Sequence, residues 1–193
     1  MFSDDFSEQV SNLKKLSLSQ NENEIIRDLE LTLKIYKEQN HYLRVSLNKS
    51  NLMREYGEWE NKKNLFKFGA WHLFKFEDIG NLVSNIADSE FKKSLHIMVI
   101  GKSGSNASPF DGMPNAETVV DEHEDQNLSY KPLLSIVPDG DADWYCLNLA
   151  PIKIALEEGK LNIKDEDLIK VINGYDYIVI IPKVTAPKFI QKN

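Results

Sequence analysis

Two six-residue apolar runs, "HIMVIG" at 96–101 and "YIVIIP" at 177–182, constrain this chain more than any other feature. Neither shows the polar gaps that would confine apolar side chains to one face of a helix, and each stops at a residue that breaks regular structure, Gly101 or Pro182. Runs of this kind are expected as buried strands, here over 94–101 and 175–182. Both are far shorter than the roughly 20 residues a membrane-crossing helix needs.

The first third follows a different rhythm. In "EIIRDLELTLKIY" (24–36), Ile25, Leu29, Leu33 and Tyr36 fall on one helical face. Asn21 or Asn23 is expected to cap this helix, with Glu22 and Glu24 near its positive end. The rhythm continues through Leu43 and Leu47, then shifts to Leu52, Met53, Tyr56 and Trp59. A break at "EQNH" or "NKSN" and a second helix ending near Gly57 are expected. A strand over 42–47 is the rival, because "YLRVSL" also alternates. "SNLMREYGEWENKKNLFKFG" (50–69) resembles one unit of a tetratricopeptide-type repeat, yet such arrays need about three units to be stable.

Beyond residue 68 the pattern turns strand-like. "AWHLFKF" (70–76) reads as a strand with Trp71, Leu73 and Lys75 on one face and His72, Phe74 and Phe76 on the other, followed by a helix begun by Glu77 and Asp78. Residues 101–131 are expected as a long, irregular polar connection with one apolar cluster, "TVV". "PLLSIVP" (132–138) and "DADWYCLNLA" (141–150) read as two strands of a hairpin turning at "PDGD". Short helices are expected in "PIKIALEEGKL" (151–161), with proline in its first turn, and in "KDEDLIKVIN" (164–173), stopped by Asn173 and Gly174. The expected fold class is α+β: a helical N-terminal third (1–68) packed on a mainly antiparallel sheet with flanking short helices (69–185), then a basic tail (186–193).

Charge and cysteine content narrow the function classes. A formal net charge of -7 argues against non-specific nucleic-acid binding, which needs lysine and arginine to displace counterions. The best local basic patch, "NKKNLFKF" (61–68), is equally a set of snorkelling lysines. An acidic surface suits a basic protein partner. Cys146 is the sole cysteine, so neither an intrachain disulfide nor a multi-thiolate metal site is available. The acidic, polar start "MFSDDFSEQVSNLKK" is unlike a secretory signal, and the cytoplasm is the expected location, with no membrane association.

Three motifs invite chemistry and fall short of it. "DGDAD" places Asp139, Asp141 and Asp143 at the first, third and fifth positions of a calcium loop, but Trp144 and Ala150 stand where glycine and a bidentate glutamate are needed. "IGKSGS" contains a Gly-Lys-Ser, but counting back to the first glycine of a phosphate loop reaches His96 inside a strand. His41, His72, His96 and His123 lack ligand spacing, and "DEHED" around His123 is expected as a solvated acidic loop. No nucleophile elbow is present. Trp144, Cys146 and Asn148 are expected on one side of a strand and Tyr145, Leu147 and Leu149 on the other, with Cys146 a small core residue.

"YKPLLSIVPDGDADWYCLNLAP" (130–151) resembles the central hairpin of the SUKH superfamily of toxin-immunity proteins, in Pro132, Asp139, Gly140, Asp143, Tyr145, Cys146, Leu147, Leu149 and Pro151. "WHLFKFEDI" extends the likeness loosely to 70–151. The resemblance implies a cofactor-free α+β domain that binds and neutralises a toxin or another protein. Its contact region would be Asp139, Asp141, Asp143, Trp144 and Tyr145, with Glu122, Glu124 and Asp125 of the acidic loop. A non-enzymatic protein-binding module is therefore the leading expectation. The alternatives are an assembly subunit of a virus or larger complex, and a small metal- or nucleotide-dependent enzyme joining the "GKSGS" and "DGDAD" loops.

Overall fold

A computed structural model describes residues 4–107, 117–120, 129–138, 140 and 142–186. The chain divides into two compact units, Met1–Lys67 and Phe68–Asn193.

The first unit is helical: α1 (Asp4–Leu13), α2 (Gln20–Glu38), α3 (His41–Arg54) and the single turn α4 (Tyr56–Trp59). α2 starts earlier than its apolar rhythm implies. Ser19, not Asn21 or Asn23, is the cap, because Ser19 and Glu22 close a reciprocal capping box. The Glu22 side chain accepts from the Ser19 backbone N–H at 2.8 Å, and hydrogen bonds from Ser19 hold the Glu22 carboxyl below its usual range. The buried face is also rotated from the expected one: Ile26 and Ile35 are buried, whereas Ile25 and Tyr36 are exposed. Residues 42–47 are helical, capped by Asn40, and Leu47 is buried as the continued rhythm requires. Arg54 closes α3 onto α2, reaching Asp28 at 2.8 Å and Glu24 at 3.1 Å.

The second unit carries the sheet. Its elements are a 3-10 turn (Ala70–His72), α5 (Asp78–Ser89), β1 (Ile97–Ala107), β2 (Glu117–Val120), α6 (Lys131–Leu134), β3 (Tyr145–Asn148), α7 (Ala150–Glu157), α8 (Glu166–Gly174) and β4 (Tyr177–Val184). The strand order is β2-β1-β4-β3. β1 and β4, the two apolar runs, lie side by side in parallel, with Val99 opposite Val179. The flanking pairs, β2 on β1 and β3 on β4, are antiparallel. The fold class is α+β, with a sheet that is antiparallel at both margins and parallel at its centre.

Two expected strands are not strands. "AWHLFKF" is the 3-10 turn followed by irregular chain, because Phe74 is drawn inward as a wedge, 1% exposed, with its ring against those of Trp71, Phe76 and Tyr175 at 5.1–5.6 Å. The wedge fits only between two glycines. A β-carbon on Gly80 would stand 2.2 Å from the Phe74 carbonyl oxygen, and one on Gly174 would stand 2.2 Å from its ring. "PLLSIVP" opens with α6, so the expected hairpin lacks its first strand. Leu133, Leu134 and Val137 are buried while Ile136 is exposed, and that spacing is one face of a helical turn. Pro132 starts this turn, where its missing N–H is not needed. β3, α7, α8 and β4 lie where the sequence places them, and Asp165 caps α8 through the Leu168 N–H at 2.9 Å.

The core is one-sided. Phe74, Met98, Tyr130, Leu133, Leu134, Val137, Leu149, Leu168, Val171, Ile172, Tyr175, Ile178 and Ile180 form one cluster. It is built from the inner sides of β1 and β4 and from α6 and α8.

Gly174→Ala should destabilise the second unit by about 1–3 kcal/mol in urea titration, the usual cost of overpacking a filled core. Adding Phe74→Leu, which makes room, should recover part of that loss. Additive losses in the double variant would mean that the wedge is not what Gly174 accommodates.

Candidate functional site

Of the residues the sequence nominates, Asp139, Asp141, Glu122, Glu124 and Asp125 lie outside the described residues, as does His123. Asp143 and Trp144 are exposed just before β3, Trp144 to 68%. Tyr145 faces the other way and packs against the core. The aromatic pair is thus split by the strand's alternation, and only Trp144 is offered to a partner. Cys146 is exposed, not a core residue as expected, because β3 forms one margin of the sheet and Cys146 is on its outer side.

That outer side is the second departure from expectation. A continuous apolar run implies burial on both faces, yet among the described residues the outer face of β1 and β4 is only partly covered. Ile97 is 43% and Val99 57% exposed. The register sets Val99, Val179 and Cys146 in one row across the sheet, with Ile97 in the row beside it and Ile181 beyond. Val179 and Ile181 are half-buried. An apolar strip therefore crosses three strands toward Trp144. Contiguous exposed patches of this kind mark interaction sites.

"IGKSGS" is not a loop. Gly101–Ser105 lie within β1, where Gly101, Ser103 and Gly104 pair with β4, so the expected 101–131 connection is strand to Ala107 and again over β2; the buried Lys102 side chain donates to the Val137 carbonyl at 2.6 Å. Among the described residues no cluster of three or more His, Cys, Asp or Glu side chains is placed to hold a metal. Also among them, no helix is long and apolar enough to cross a membrane.

A cleft of about 720 Å3 opens where β1 and β4 begin, lined in part by Lys75, Lys93, Lys153, Ser94, Asn148 and Asp176. Asp176, the residue before β4, organises it. Its backbone N–H donates to the His96 carbonyl at 2.8 Å and its carbonyl accepts from Leu149 N–H at 3.0 Å. One carboxylate oxygen accepts from the His96 N–H at 2.9 Å and the other from Lys75 Nζ at 2.6 Å. Burial alone would raise its pKa, but the Lys75 and His96 hydrogen bonds outweigh that and hold it low.

His96 is buried, and burial holds its imidazole neutral by lowering its pKa. Its Nδ1 lies 2.7 Å from the Leu73 carbonyl, which can only accept, so Nδ1 carries the proton. Nε2 is then an acceptor, and the Ser94 hydroxyl at 3.0 Å donates to it. Lys153, on α7, sits in the cleft wall, where burial lowers its pKa against the opposing pull of Asp176. Sequence reading missed this constellation because its members come from five separate segments. The available signals were small: an aspartate between two tyrosines at the start of an apolar strand, and a lysine between two isoleucines in a short helix.

No family model, curated protein or solved structure matches this chain.

Two tests follow from the Asp176 clasp. Asp176→Ala leaves the His96 amide without its acceptor and should cost about 1–3 kcal/mol in denaturant titration; a neutral result would remove the clasp from the account. For pH, the unfolded chain takes up a proton at His96 near the ordinary value of 6.5, while the native imidazole resists it. The stability from His96 is complete above that value and is lost as pH falls from it toward the native pKa. Asp176 adds a second loss, below its ordinary 3.8, as pH falls through its lowered native pKa. The melting temperature should therefore drop between about pH 7 and 5, and His96→Asn should flatten that limb; an unchanged slope in the variant would place the titration elsewhere.

Proposed function

We propose that this chain is a non-enzymatic protein-binding module whose outer sheet face receives a basic protein partner, with neutralisation of a toxin as the most specific form of that role. The observation that carries the reading is the partly exposed strip in which Ile97, Val99 and Cys146 are exposed and Val179 and Ile181 half-buried, beside the exposed Trp144. A sheet hides both apolar faces in a stable layered architecture, and a face left open asks for another layer.

A net charge of -7 steers a cationic protein toward the surface, and Asp143 stands next to Trp144. Among the described residues β3 has a neighbour strand on one side only, so its other margin can accept a partner strand by backbone pairing. The SUKH resemblance implies the same class of role. It now rests on 143–151, since the chain before the turn opens with a helix.

The chain by itself should sediment as a monomer at micromolar concentration and co-purify from its native host with one stoichiometric, positively charged protein. Val99→Asp should weaken that complex at least tenfold, and Trp144→Ala should cost about 2 kcal/mol or more, the range of an interface hot spot. A stable homodimer abolished by Val99→Asp would assign the face to a second copy instead, as an assembly subunit requires. Retention of the partner by both variants would refute the surface.

A further inference from the structure

The cleft at the start of β1 and β4 lies apart from the apolar strip in chemistry, and the inference drawn from it does not rest on the binding-module reading. Three lysines reach it from three separate segments: Lys75 before α5, Lys93 after α5 and Lys153 on α7. Two carboxylates, Asp88 and Asp176, also line it. Asp176 is fully committed, one oxygen to Lys75 and the other to the His96 amide. Among the described residues, no carboxylate lies within ion-pair distance of Lys93 or Lys153. Lys153 is half-buried in the wall, so the fold removes water from an ammonium without supplying a direct counter-charge. Such an arrangement is costly in the empty protein and favourable once an anion arrives.

We propose that this cleft binds a phosphate-bearing small molecule, with Lys153 and Lys93 as its cationic ligands and Lys75 held in position by Asp176. Lysine binds phosphate as a compact point charge, and several ammonium groups around one opening suit a polyvalent anion better than a single carboxylate. Asn148 adds a neutral donor. Its Oδ1 is taken by the Ala150 N–H at 3.0 Å, which leaves its amide hydrogens for the ligand. The Ser84 hydroxyl, on the α5 side of the cleft, is a second neutral donor. Ser94 plays a different part. Its proton goes to His96, so it presents lone pairs and discriminates in favour of a ligand that carries a hydroxyl or a protonated phosphate oxygen at that place. The volume, about 720 Å3, exceeds what inorganic phosphate fills and leaves room for an organic group attached to it.

The test uses the full chain, 15N-labelled, titrated with pyrophosphate at low ionic strength. Saturable amide shifts confined to the neighbourhoods of 75, 84, 93, 148 and 153 are expected. Lys153→Met should weaken binding about tenfold or more, and Lys93→Ala, an exposed change that leaves the fold intact, several-fold. Lys170→Ala, outside the cleft lining and paired with Asp167, should leave it unchanged. Adding a sugar phosphate in a second titration should reproduce the shifts and extend them to Ser94. The proposal is overturned if pyrophosphate produces no saturable shift, or if Lys170→Ala weakens binding as much as Lys93→Ala does, which would mark general surface attraction.

Discussion

The second unit depends on one aspartate placed where a parallel strand begins. Parallel neighbours cannot share a tight turn, so something other than chain connection must align their first residues. Asp176 does this for β1 and β4 through a reciprocal pair of bonds with His96: its amide to the His96 carbonyl, and its carboxylate to the His96 amide. The same residue gathers Leu149 from the β3–α7 junction and Lys75 from the chain before α5. Segments far apart in sequence are thereby fixed at one end of the sheet. The wedge of Phe74 between Gly80 and Gly174 secures the neighbouring layer. Charge-assisted hydrogen bonds of this kind are stronger than neutral ones, and half-buried surroundings raise the cost of leaving any of them unmade.

Two surfaces result, with opposite chemistry. At the aligned strand ends the clasp consumes one negative charge and leaves lysines facing a cleft. Across the sheet, helices α6 and α8 cover only the inner side, and the outer side keeps an apolar strip running to Trp144. A protein-binding role draws on the strip, and ligand binding draws on the cleft. The row that ends the strip, formed by Ile97, Tyr177 and Asn148, borders the cleft through Tyr177 and Asn148.

How much of this could be read beforehand depends on which force decides each segment. The apolar runs of β1 and β4, the helical character of α2 and α3, and the proline start of α7 are local signals and carried through, although the buried face of α2 turned out to be centred on Ile26 and Ile35. "AWHLFKF" alternates like a strand, but its fate is set by Phe74 finding two glycines that lie 6 and 100 positions away. "PLLSIVP" fits a strand and a helical turn equally well until the core selects Leu133, Leu134 and Val137 together. The cap of α2 was legible in Ser19 and Glu22 but lay before the apolar pattern. The apolar strip was half-legible: a run apolar on both sides says that both are to be covered, and cannot say by what. The lysine cleft was not legible, since no spacing in the sequence links Lys75, Lys93, Lys153 and Asp176.

Amide hydrogen exchange by NMR addresses the clasp most directly. If Asp176 and His96 lock the two strand starts, the amides of His96, Asp176 and Tyr177 exchange only through global unfolding, as slowly as those at the centre of β4. Exchange of these three at the rate of frayed strand ends would show that the sheet is aligned by packing alone, and would contradict the account.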